Sequence, residues 1–145
     1  MYHFKLEPLL NHRRYQEEIL QKELAGVKKR LQSEQDQLRV LKKKKRQTLQ
    51  LLHARQKQGG AASELKLCVD FIDHLSAEMK TQRQKIMQTQ RQFDSIHQAL
   101  LAAMKKRKTL EKLKEKDRRA YEQSQMKKER HLLDDVAGHQ FILKS

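Results

Sequence analysis

Residues 56–64 read QKQGGAASE and hold the only Gly-Gly pair in the chain. What lies on either side decides the fold. Stepping backward from Leu52 by alternating fours and threes meets Thr48, Lys45, Leu41, Leu38, Glu34, Leu31, Val27, Leu24, Leu20, Glu17, Arg13, Leu10 and Leu6, nine of the fourteen apolar. Stepping forward from Cys68 meets Ile72, Leu75, Met79, Gln82, Ile86, Thr89, Phe93, Ile96, Leu100, Ala103, Arg107 and Leu110, ten of the thirteen apolar. Each run outlasts the three to four heptads that separate a coiled-coil seam from an ordinary amphipathic helix. Gly59 and Gly60 follow directly on the first seam, where glycine can take the left-handed conformation that ends a helix, and Ser63 is the expected N-cap of the next one.

The expected fold is therefore all-α, a single domain over 1–145 built as an antiparallel coiled-coil hairpin. Helix 1 is expected over about residues 6–57, the turn over 58–63 and helix 2 over 64–137, with Gly138 as terminator and HQFILKS as a short tail. Pro8, the only proline, falls in the first turn of the first helix, where its missing N–H costs little. With the turn centred near residue 61, residue i faces about residue 122 − i, and the arms are of the order of 75–80 Å long at 1.5 Å per residue. This register sets Glu17 and Glu18 near Lys105 and Lys106, and Glu34 near Thr89, a polar pair within the seam that fixes register.

Composition agrees with long helices. Of the 145 residues 35% are charged, only four are Gly, and mean hydropathy is −0.98, far from an ordinary globular mixture. No apolar run approaches the roughly 18 residues of a membrane span, and MYHFKLEPLL lacks the pattern of a signal peptide, so a cytosolic protein is expected. The single Cys68 permits no internal disulfide, sits at a seam position and reads as a packed side chain. No cofactor, metal or catalytic site is expected. The scattered histidines form no ligand motif, Asp134 and Asp135 point about 100° apart on a helix, and the glycines build no phosphate-cradling loop.

The net charge is +15, so partners should be acidic, whether phosphate, anionic lipid or a carboxylate-lined protein socket. It is spread along the chain, with 15 Lys+Arg against 6 Asp+Glu in residues 1–58 and 18 against 12 in 59–145. Lys42 to Lys45 span more than one helical turn and so encircle the helix, without the interleaved aromatics or basic-region-plus-zipper order of nucleic-acid binders. A basic coiled-coil nucleic-acid protein and a generic self-associating scaffold stay as alternatives on the residues alone.

Certain residues resemble a family. The start Phe4-x-Leu6-x-Pro8-Leu9-Leu10-x-x-Arg13-Arg14-x-x-Glu17-Glu18, the Gly-rich midpoint, Phe71-Ile72-x-x-Leu75, and the close Leu110-Glu111-Lys112-Leu113-x-Glu115-Lys116 with Asp134-Asp135 together look like the FliJ flagellar export proteins and the YscO-like stalks of virulence secretion. The resemblance covers essentially the whole chain. It implies a non-enzymatic component of the type III protein export apparatus, shaped like the central stalk of a rotary ATPase and placed at the cytoplasmic face of the inner membrane. Its implied partners are a hexameric export ATPase (FliI-like), an export gate protein (FlhA-like) and export chaperones, with no specific nucleic acid. Carried over by position, the ATPase-binding shaft is Leu6, Leu9, Leu10, Arg13, Arg14, Lys116, Arg118, Arg119 and Tyr121. The gate-binding surface is Gln37, Leu41, Phe71 and Leu75. This chain has Lys44 and Thr48 where enterobacterial members carry aromatics, and Glu78 and Gln82 where they carry a small residue and a histidine.

Overall fold

The computed structural model describes residues 1–144. Two helices account for nearly all of it, α1 over Glu7–Lys57 and α2 over Ala62–Lys144, packed against each other as an all-α helical hairpin. The chain divides into two compact units, residues 1–19 with 100–145 and residues 20–99.

Within residues 20–99 both seams are where the heptads put them. Every first-seam position from Leu20 to Leu52 is half-buried, and the second-seam residues from Cys68 to Ile96 are buried or half-buried. The register is also the expected one. The Thr89 hydroxyl donates to the Glu34 carboxylate at 2.7 Å, and the Arg30 guanidinium donates to the Gln92 side chain. Gln82 Nε2 donates to the Glu34 carbonyl at 2.8 Å and to Gln37 Oε1 at 3.1 Å. Glu34, Gln37, Gln82 and Thr89 thus form a polar layer across the seam, in which the Gln82 amide and the Thr89 hydroxyl both find acceptors.

The turn is tighter than the sequence suggests. Gly60 N–H donates to the Arg55 carbonyl at 2.9 Å and Gly59 N–H to the Gln56 carbonyl at 3.4 Å, which is the paired-bond helix stop that needs a left-handed residue. Gly59 supplies it, with φ 72°. The second helix begins at Ala62, so Ser63 is not the N-cap but lies inside the first turn. The Ala61 carbonyl accepts from the N–H groups of Glu64 and Leu65. Glu64 places its charge at the positive end of α2 and pairs with Arg55 across the turn at 3.3 Å. Because a side chain at Gly59 meets no neighbour but must adopt a left-handed backbone, Gly59→Ala is expected to cost about 1–2 kcal/mol. Thermal unfolding of the variant checks this. A change confined to a few tenths of a kcal/mol would mean that the turn relaxes into another geometry.

In the other unit, Leu10 is fully buried and Glu17, Leu100 and Ala103 are buried with it. Leu6, although a seam position, is exposed. Residues 1–6 precede the helix and fold back onto α2: Phe4 is buried, and the Tyr2 ring lies 5.5 Å from that of Tyr121. Gly138 does not stop α2, which continues to Lys144. Glycine permits a left-handed turn without enforcing one, and among the described residues only Gly59 takes positive φ. The side chains of residues 126–143 are exposed.

Candidate functional site

The structure gives an open groove on the unit of residues 1–19 and 100–145 and two separate grooves on residues 20–99. No group of three or more His, Cys, Asp or Glu among the described residues could hold a metal ion. Among the described residues no helix is long and apolar enough to cross a membrane.

On the unit of residues 1–19 and 100–145, the surface is built on a ladder of charges. Glu17 and Arg107 are seam residues that face each other, and Arg107 Nε donates to Glu17 Oε2. The expected partners of Glu17, Lys105 and Lys106, are one and two residues away, which on a helix turns the side chain by about 100° per residue and takes both out of the seam. Arg107 also donates to Glu111 at 2.9 Å, and Glu111 lies 3.6 Å from Arg14. Glu17 first and Glu111 second hold the Arg107 guanidinium above its ordinary pKa. Further along, the Lys114 ammonium lies 2.8 Å from Glu7 Oε2, an ion pair without aligned hydrogen-bond geometry.

Tyr2 adds a clasp. Its hydroxyl donates to the Lys114 carbonyl at 3.2 Å and to Asp117 Oδ2 at 3.1 Å. Partial burial first, then that bond to the Asp117 carboxylate, raises the phenol pKa. Arg118 bonds Glu115 at 2.8 Å and holds that carboxyl below its usual range, with Arg119 adding a weaker bond. The small stabilisation this gives is present above the ordinary carboxylate range and is lost as pH falls through the depressed value.

The nine shaft residues therefore separate by environment. Leu10 is fully enclosed and serves the seam, while Tyr121 is half-buried against Tyr2. Arg14, Arg118 and Arg119 are exposed but already paired with Glu111 and Glu115. Leu6, Leu9 and Lys116 are exposed. Arg13 is half-buried at the seam and, among the described residues, bonds only Gln16, at 3.2 Å. It borders a groove lined by Leu9, Arg13, Lys105, Lys106, Thr109 and Leu110. The groove has an apolar floor, three cations and no acid. Lys105 and Lys106 belong to it and were not among the shaft residues expected from sequence; their displacement from the seam is the signal that would have found them.

On residues 20–99, the four gate residues do not form one patch. Leu75 is 2% exposed and locked in the seam, whereas Phe71 is 46% exposed. Phe71 borders a groove with Lys44, Gln47, Thr48 and Leu51. Gln37 and Leu41 border a separate groove with Val40 and Asp36, and the Gln37 amide oxygen is taken up by Gln82. Thr48 donates its hydroxyl to the Lys44 carbonyl at 2.8 Å, so its polar group is satisfied within the helix. Lys44 and Thr48 thus stand beside Phe71 as the walls of its groove.

In comparisons with known proteins, the family model described as flagellar FliJ protein matches residues 2–145. No curated protein and no solved structure matches the chain.

Proposed function

The chain belongs to the flagellar FliJ protein family and is a component of the flagellar protein export apparatus, and on that premise we propose that it is a non-enzymatic stalk. In this reading the unit of residues 1–19 and 100–145 binds and stimulates the hexameric export ATPase. The unit of residues 20–99 contacts the membrane export gate at the cytoplasmic face of the inner membrane, and the protein escorts or recycles export chaperones.

The observation that carries this reading is the acid-free groove of Leu9, Arg13, Lys105, Lys106, Thr109 and Leu110. Arg13 is a cation at a seam position with no carboxylate partner among the described residues, which weakens the hairpin locally unless something else binds it. An apolar floor rimmed by unneutralised cations fits a loop that offers one apolar side chain flanked by carboxylates, as an ATPase pore would. Seated off-centre in such a pore, the stalk touches the subunits unequally and favours closure of some nucleotide sites over others. At the other unit Phe71, with Leu51 beside it, is the exposed apolar feature suited to a gate contact.

A crossed experiment tests both halves. ATP hydrolysis by the export ATPase is measured on titration with Arg13→Glu/Lys105→Glu/Lys106→Glu and with Phe71→Ala, and each variant is assayed for binding to the cytoplasmic part of the gate. The triple reversal should abolish stimulation with helicity and gate binding intact, and Phe71→Ala should do the reverse. Stimulation that survives the reversal removes the groove from the ATPase contact. Undiminished gate binding removes Phe71.

A further inference from the structure

Residues 37–63 contain eight Lys and Arg and not one Asp or Glu. Two of the eight are neutralised within the fold, Arg39 by Asp36 at 3.1 Å and Arg55 by Glu64 at 3.3 Å. Lys42, Lys43, Lys44, Lys45, Arg46 and Lys57 have no ion pair among the described residues, and all but Lys45 are exposed. The five consecutive cations at 42–46 do not simply encircle α1. Arg39, Lys43, Arg46, Gln50, His53 and Lys57 follow one another at spacings of four, three, four, three and four, which keeps them on one line along the helix. All six are exposed, on the side turned away from Leu38, Leu41, Lys45, Thr48 and Leu52 of the seam. The line runs for about 27 Å at 1.5 Å per residue.

We propose that this line of cations on residues 39–57 is a docking surface for an anionic phospholipid membrane. Three observations favour lipid over other polyanions. First, two of the line's three unpaired cations, Lys43 and Lys57, are lysines, strongly hydrated point charges that suit a diffuse layer of headgroups. Bidentate recognition of particular phosphates or carboxylates is the province of arginine. Second, the line carries no Phe, Tyr or Trp, so it lacks the stacking platform of a single-strand binder and the base-reading groups of a duplex binder. Third, exposed apolar side chains lie close by: Leu49 on the flank of the same helix, and Leu67, 69% exposed, just past the turn. A polybasic segment with nearby apolar groups combines the two attractions that hold peripheral proteins at a bilayer. The inference goes beyond the stalk reading, since it uses neither the Arg13 groove nor Phe71.

The test is cosedimentation of the full chain with vesicles of phosphatidylcholine, with and without about one third phosphatidylglycerol. Binding should need the anionic lipid and weaken steeply with salt. Each cation held at an anionic surface is worth about a fivefold gain in partitioning, so Lys43→Gln/Arg46→Gln/Lys57→Gln should lower the partition coefficient about a hundredfold with helicity unchanged. Lys127→Gln/Lys128→Gln/Arg130→Gln removes the same formal charge from the other unit and should lower it less than about tenfold. Equal losses in the two triples would show an effect of net charge and overturn the proposal, as would binding indifferent to phosphatidylglycerol. Displacement of the vesicles by an equal charge concentration of duplex DNA or polyglutamate, sensitive to the first triple alone, would assign the line to another polyanion and also overturn it.

Discussion

Arg107→Leu is expected to destabilise the protein by about 3 kcal/mol, the lower end of the range for removing one member of a buried ion pair. Glu17 is buried at 8% exposure, and in the fold its carboxylate is met by the Arg107 guanidinium. Without Arg107 the carboxylate stays buried in the seam, and Arg13, the seam cation one turn away, is bonded to Gln16 instead. The lower end of the range applies because the Arg107 side chain keeps about a fifth of its surface in water. Glu17→Leu/Arg107→Leu should behave differently. It replaces the pair by two apolar seam residues and should restore stability to the wild-type value or above it, since a hydrophobic exchange for a buried pair is often neutral or favourable. Urea is the denaturant of choice, because guanidinium salt would screen the pair under test. A loss below about 1 kcal/mol for the single substitution would show that water already serves Glu17 and that the pair lies outside the effective core.

That pair also marks where the sequence was legible and where it was not. The fold could be read because a heptad seam and a glycine stop are local patterns, and each constrains the other: once Gly59 ends α1, the facing residues follow by counting. Glu34 opposite Thr89 is the result. Counting fails at a resolution of one residue, since a shift of one turns a side chain by about 100°. Register arithmetic thus set Glu17 against Lys105 and Lys106, whereas the seam membership of Arg107, visible in the same sequence, names the actual partner. Ser63 and Gly138 failed for another reason. A capping residue type is a permission, and the hydrogen bonds made at Ala61, or never broken at Gly138, decide whether it is used. Tyr2 lies before the helix and outside any period, so only tertiary contact reveals it. Among the gate residues, family position put Leu75 beside Phe71, but the heptad had already assigned Leu75 to the seam, and burial follows the heptad.

Thr89→Val should cost about 2 kcal/mol, although valine fills nearly the same volume. The Thr89 hydroxyl sits 2.7 Å and 3.0 Å from the two Glu34 oxygens, and its residue is only 5% exposed. Hydrogen bonds to a charged group contribute about 1.5–3 kcal/mol, and the remaining cation near Glu34, Arg30, stands at 4.0 Å, too far to replace the lost bond. Glu34→Leu/Thr89→Val should reverse the sign and exceed wild-type stability, because two neighbouring heptad positions then become apolar. That gain would show what the polar layer is for. Sequences retain such layers at the expense of stability where they specify which residues face each other, and here Gln82 ties the same layer to the Glu34 backbone and to Gln37. Urea midpoints at unchanged slope measure both effects. A neutral Thr89→Val would mean that Glu34 is satisfied by solvent, and would leave the register of this unit to the turn at Gly59 and to the bonds made by Gln82 and Arg30.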